Sequence, residues 1–252
     1  MVAALAWPGV VLAGPVYDST ADTVFDIITA ADPSAFVCLQ PLGQAPRQIW
    51  DKRVDGEPVV NAHLFEARYS DGARIEVAVN PEFPAEATEA IARRFALPLG
   101  QLPTALRAGI GRFSVHGGDQ GFHAGDGQIV VYTGRADRRA ADLHLEESLF
   151  HEAVHASWNR DHAAATGWRT AQRADGGFLT GYAEAAPEVE DLAETSLFAF
   201  AILHHPDRFP PADTADTRAA VPHRIAYVAG LLPPGAPLIV PLAGAPGCEA
   251  DS

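Results

Sequence analysis

Basic residues are scarce in this chain: 18 Lys plus Arg stand against 32 Asp plus Glu in 252 residues, a net charge of −14. Nucleic acids and anionic membrane surfaces are held by lysine and arginine displacing counterions from phosphates, so neither is an expected partner. Long apolar runs are missing too, and none approaches the roughly 18 uninterrupted residues that span a bilayer as a helix. The longest candidate, residues 1–16, contains Pro8 and Pro15 and has no basic residue ahead of its apolar stretch, which makes it a poor export signal, at most a remnant of one. Cysteine is limited to Cys38 and Cys248, near opposite ends of the chain. A bridge between them would tie the ends together and imply secretion into an oxidising compartment; two unrelated buried thiols are the other reading. Internal repeats and low-complexity segments are absent. With 48% hydrophobic and 20% charged residues, composition excludes a disordered chain, a collagen-like repeat and a long coiled coil, and the length fits one large domain or a core domain with a smaller lobe.

What is present falls into four stretches. Residues 1–33 form an N-terminal segment with little pattern. Residues 34–83 read as an antiparallel β region of three or four strands: Phe36-Val37-Cys38-Leu39, Pro58-Val59-Val60, Ala62-His63-Leu64-Phe65 and Arg74-Ile75-Glu76-Val77-Ala78-Val79, with turns at Asp55-Gly56 and Ser70-Asp71-Gly72. Residues 84–232 read as mainly helical. The pattern predicts a helix over 84–97 with Ala87, Ile91 and Phe95 on one stripe, a buried helix over 140–158, and a second buried helix starting near Pro187 with Glu188, Glu190 and Asp191 in its first turn. A short strand, Gln128-Ile129-Val130-Val131-Tyr132-Thr133, precedes the first buried helix and is expected as a free sheet edge. The glycine-rich stretch 117–127, with Asp119 and Asp126, lacks the alternating oxygen ligands of a calcium loop and reads as a solvated turn. Residues 233–252 form a proline-rich, irregular tail.

Chemistry is concentrated in His151-Glu152-Ala153-Val154-His155. On a helix, residues four apart lie one turn above each other, so both imidazoles can converge on one cation, while Glu152 sits one position round, placed to hydrogen-bond water at the metal. With ten histidines in the chain, this five-residue pattern arises by chance in roughly a few per cent of shuffled sequences. A chance copy, however, would not favour an otherwise apolar helix, where buried imidazoles and carboxylates need partners.

A catalytic zinc site normally takes three protein ligands and leaves the fourth position open. Asp161, six residues after His155, has the spacing of one class of third ligand, but Trp158 stands where that class turns on glycine, and the only methionine is Met1, so no methionine turn can lie beneath the metal. His162 is a further donor nearby that reads as a surface residue. The alternative is a carboxylate from the next long helix. Glu190 and Glu194 are four apart on a stripe continued by Leu197 and Ala201. Glu190 reads as the third ligand and Glu194 as a carboxylate orienting a ligating histidine; spacing alone leaves the reverse open.

Thr180-Gly181-Tyr182-Ala183, Glu190-Asp191-Leu192-Ala193-Glu194 and His204-His205-Pro206-Asp207, following the H-E-x-x-H helix, resemble the metal-binding half of gluzincin metallopeptidases of the lethal-factor type. The resemblance covers about residues 145–207. With the antiparallel sheet region read from the strand pattern, the expected fold is α+β, an N-terminal sheet region packed with a mainly helical region that the resemblance makes zincin-like and catalytic; the resemblance does not extend to the sheet-rich first half. The resemblance implies one zinc ion on His151, His155 and Glu190, Glu152 as general base and Tyr182 as donor to the transition state; it does not specify a substrate, and the expected reaction is peptide-bond hydrolysis of a peptide or protein. Two rivals are a zinc-binding protein without catalysis, which would need a fourth ligand from His144 or His162, and a zinc hydrolase of a non-peptide amide or ester.

Overall fold

A computed structural model describes residues 14–20, 25–245, 247 and 248; most of the candidate export remnant, residues 1–13, lies outside them. Six strands form one mixed sheet: β1 (Phe36–Gln48), β2 (Val59–Tyr69), β3 (Arg74–Val79), β4 (Arg112–His116), β5 (His123–Gly125) and β6 (Gln128–Tyr132). Their order is β1-β2-β3-β4-β6-β5. The first three are antiparallel neighbours, as the turn signals predict, and the two segments read as 58–60 and 62–65 are one strand, β2. β4 is parallel to β3, the crossover being supplied by α1 (Ala85–Leu99) and α2 (Thr104–Arg107), and β6 is parallel to β4, reached through residues 117–127, which include β5. β1 carries Pro41 and Pro46 because it is an edge strand, where a missing N–H is tolerated, and its register shifts between Pro41 and Gly43.

The expectation that residues 128–133 form the free edge is not met. The glycine-rich stretch folds back, with Asp126 and Gly127 at positive φ in the turn, and places β5 antiparallel to β6 from His123↔Val130 to Gly125↔Gln128. β5 is therefore the outer edge, and the stretch 117–127 is not wholly a solvated turn.

Strand alternation sorts the core. Phe65, Ala67, Ile75, Val77, Val79, Phe113, Val115, Ile129 and Val131 point to the helical side, while Leu64, Ala78, Val130 and Tyr132 form a smaller cluster with Ile49 on the other. α1 buries Ala92, Phe95, Ala96 and Leu99 against the main core, with Ile91 on the margin of that face.

The helix expected over 140–158 is two helices, α3 (Thr133–Ala141) and α4 (Leu145–Ser157). Leu143 adopts a φ of +54° between them, a left-handed conformation that no helix continues through. α4 buries Leu145, Leu149, Phe150, Ala153 and Val154 and ends in a π-helical turn, Asn159–Ala163. After α5 (Thr166–Asp175) and α6 (Gly181–Ala185), the second long helix, α7 (Asp191–His204), begins at Asp191 and not near Pro187. Residues 187–190 make turns before it, so Glu190 occupies the capping position. α7 is buried from Asp191 to Ile202, and Phe200 packs on Phe150 of α4 with ring centroids 4.8 Å apart.

α8 (Pro211–Ala220) and α9 (Pro222–Leu231) close the helical side. Arg224 of α9, fully buried, pairs with Asp175 of α5 and with Asp191 at the start of α7, tying three helices together beside Glu190. The tail has no helix or strand among its described residues, yet Leu242 N–H donates to Ser70 and Val240 N–H to the Thr104 hydroxyl. Cys38 and Cys248 stand at disulfide distance, Cα atoms 6.0 Å apart. No helix among the described residues is long and apolar enough to cross a membrane.

Candidate metal centre

His151 and His155 project from the face of α4 turned toward α7. Their Nε2 atoms are 3.0 Å apart, Glu190 Oε2 lies 3.1 Å from His155 Nε2, and the same oxygen lies 3.4 Å from His151 Nε2. A tetrahedral ion bound at about 2.0–2.1 Å has ligands about 3.3–3.4 Å from one another, so this triangle has the dimensions of one face of such a polyhedron. The three side chains form a group that could hold a metal ion.

The far side of each ring supports the same reading. His151 Nδ1 faces Glu194 Oε1 at 3.3 Å, and His155 Nδ1 faces the Asn159 amide, whose Nδ2 lies 2.8 Å away. Asn159 Oδ1 is buried without a partner; a half-turn of the amide makes it the acceptor for the Nδ1 proton. Both imidazoles then carry their proton on Nδ1 and present the Nε2 lone pair to the Glu190 side, the tautomer a ligand requires.

The charges respond to one another. For Glu190, burial works to raise the carboxyl pKa, but hydrogen bonds from His151 and His155 and their nearby charge outweigh it and hold the group well below the usual range. For His151, burial favours the neutral ring and the surrounding carboxylates, Glu190 first, raise it above its ordinary value. Burial pushes the Glu152 carboxyl up, and among the described residues it has no hydrogen-bond partner. It lines, with His151, a cleft of about 570 Å³ whose walls include Lys52, Phe122, Arg135 and Tyr182. Lys52, the only lysine in the chain, is held there by its bond to the Phe122 carbonyl at 2.7 Å.

Tyr182 sits on α6, a single turn capped by the Thr180 hydroxyl, which accepts from Ala183 N–H. Its side chain is 48% exposed and its hydroxyl neighbours Glu190; burial and that carboxylate push its pKa up to about 12. Of the sequence candidates, His151, Glu152, His155, Tyr182, Glu190 and Glu194 are all brought to the cleft or the metal group. Asp161 and His162 are not: Asp161 is exposed beside Arg160, and His162 Nδ1 bonds the Tyr227 hydroxyl at 2.8 Å. His144 is buried at the cleft, its Nδ1 3.9 Å from Glu147 Oε2, outside the three-ligand group.

Against family models, curated proteins and solved structures, the chain finds no match.

Two further residues belong to the site. Asn159 follows His155 by four positions, so helical spacing could have found it. Thr20 had no such signal. It lies 131 positions before His151, in a stretch without pattern, yet its hydroxyl donates to Glu194 Oε1 at 2.6 Å and its N–H to Glu194 Oε2 at 2.9 Å.

Proposed function

We propose that the protein is a zinc-dependent metallopeptidase of the gluzincin type, with a zincin-like catalytic region similar to that of lethal-factor-type enzymes. The observation that carries this reading is the His151–His155–Glu190 triangle with Glu152 lining the adjoining cleft. Two imidazoles and one carboxylate suit zinc, and when bound there it supplies Lewis acidity, acidifying water and polarising a carbonyl.

The chain's own residues divide the remaining work. Glu152 accepts the proton of the attacking water and returns it to the departing amine, a role worth about 10²–10⁴ in rate. Tyr182, protonated at neutral pH, donates to the oxygen on which negative charge develops, and its exposure leaves it free to turn into the cleft. Glu194 and Asn159 hold the two imidazoles. The outer edge of β5, packed beside α4, offers main-chain groups to an extended peptide. A fourth ligand, which a purely structural zinc would need, is supplied by neither His144 nor His162. The Cys38–Cys248 pair fits a protein exported to an oxidising compartment.

The test is cleavage of a mixture of unstructured peptides by the purified protein. Activity should disappear with a chelator, return with zinc, and fall at least about 10²-fold in Glu152→Gln while zinc is retained. Unchanged cleavage by Glu152→Gln would remove the enzyme reading.

A further inference from the structure

The described N-terminal residues form a strap against the metal centre. Val16 and Tyr17 N–H groups donate to the Leu179 carbonyl, and Gly181 and Tyr182 N–H groups donate to the Tyr17 and Asp18 carbonyls at 2.8 and 2.9 Å. The strap thus leads from the base of α6, which carries Tyr182, to Thr20. Thr20 is 3% exposed and Glu194 1% exposed, so their contact is shielded from solvent.

Burying a carboxylate is costly unless hydrogen bonds reach its oxygens. Glu194 receives the Thr20 hydroxyl at Oε1 and the Thr20 N–H at Oε2, while Oε1 also faces His151 Nδ1 at 3.3 Å. One residue therefore grips both oxygens of the carboxylate that orients the ring. The Thr20 hydroxyl oxygen is itself 3.4 Å from His151 Nδ1, so the three groups close a small polar ring behind the ligand.

We infer that Thr20 is a positioning residue for the metal centre, fixing the Glu194 carboxylate so that His151 presents Nε2 to the ion, and that residues 14–20 are a structural part of the site. This rests on the reading that His151, His155 and Glu190 bind metal. Without the hydroxyl, Glu194 Oε1 faces an apolar methyl, the carboxylate is less firmly placed, and its hydrogen bond with His151 Nδ1 weakens. Threonine supplies the donor on a β-branched side chain with restricted χ1, and serine supplies the same donor with less restriction.

The test is zinc affinity of the full-length protein, measured by competition with a chromophoric chelator, for wild type, Thr20→Val, Thr20→Ser, Glu194→Ala and the Thr20→Val/Glu194→Ala double variant. Outer-shell partners of a ligating histidine are worth about 10–100-fold in affinity. Thr20→Val should lose about tenfold, Thr20→Ser should stay close to wild type, and Thr20→Val should add no loss beyond about twofold once Glu194 is alanine. A merely structural contact would weaken both backgrounds alike. Wild-type affinity in Thr20→Val, or a full further loss in the double variant, overturns the inference alone; failure of the wild-type chain to bind zinc overturns the metal centre as well.

Discussion

Glu194 reaches the Nδ1 atom of His151 at 3.3 Å, on the opposite side of the ring from the nitrogen that faces Glu190. The two carboxylates thus share one imidazole between them, Glu190 on the ligand side and Glu194 on the side that fixes the tautomer. Their spacing of four places both at the start of α7, with Glu194 N–H bonded to the Glu190 carbonyl at 2.9 Å, so one helical turn sets both relationships. Glu194→Gln should keep the zinc stoichiometry while lowering affinity about 10–100-fold, because the amide cannot hold the Nδ1 proton as a carboxylate does. Chelator competition measures this, and loss of zinc altogether would move Glu194 into the ligand set.

Buried Glu147 predicts a pH dependence of stability unconnected with zinc. Its Oε1 accepts from Ile27 and Ile28 N–H groups, its Oε2 has no partner, and burial pushes the carboxyl up to about 7 from an ordinary 4.5. A raised carboxyl stabilises the fold in its protonated form, and that contribution is complete below about 4.5 and lost as pH rises through about 7. His144, pushed down to about 4 by burial, opposes it, destabilising the fold as pH falls below its ordinary 6.5. Glu147→Gln keeps an acceptor for both N–H groups and removes the charge. Its melting temperature should exceed that of wild type at pH 8, by the equivalent of about 1–3 kcal/mol, and the gap should close near pH 5. A variant less stable than wild type at pH 8 would contradict this.

Arg224 bridges Asp175 and Asp191 in two fully buried pairs, with His223 Nδ1 also 2.8 Å from Asp175 Oδ1. Arg224→Leu removes the guanidinium from two buried carboxylates, leaving them only His223, Gln172 and Thr195 as side-chain partners, and should destabilise by about 3–5 kcal/mol in denaturant unfolding. Because Asp191 adjoins Glu190, zinc affinity should fall with it. A loss under about 1 kcal/mol would show that the triad does not brace α7.

The Cys38–Cys248 pair spans 210 positions, so a bond there removes a large loop entropy from the unfolded chain. Replacing both cysteines by serine should lower stability by about 2–5 kcal/mol under oxidising conditions and have no effect relative to reduced wild type. Equal stability under oxidising conditions would mean that the bond does not form.

The metal group was legible because its chemistry is local in sequence: a helical repeat of four joins His151 to His155 and Glu190 to Glu194, and side-chain type does the rest. The antiparallel β1–β3 region was legible from turn residues such as Gly72, whose φ of +86° glycine accepts readily. Other features depend on distant partners. Leu143 breaks the helix before His144 with no glycine or proline to mark it, and Pro187 looks like a helix start but precedes one by a turn. The edge strand β5 is three residues long, too short to show alternation. Thr20 enters the site through hydrogen bonds to a residue 174 positions away, which no periodicity records.

Zinc held by three side chains is tested most directly by its content, from elemental analysis of wild type, His155→Ala and Glu190→Ala after dialysis against limiting metal. Three-ligand binding predicts one zinc per chain in wild type and little in either variant. A wild-type chain without zinc, or Glu190→Ala retaining a full equivalent, would contradict it.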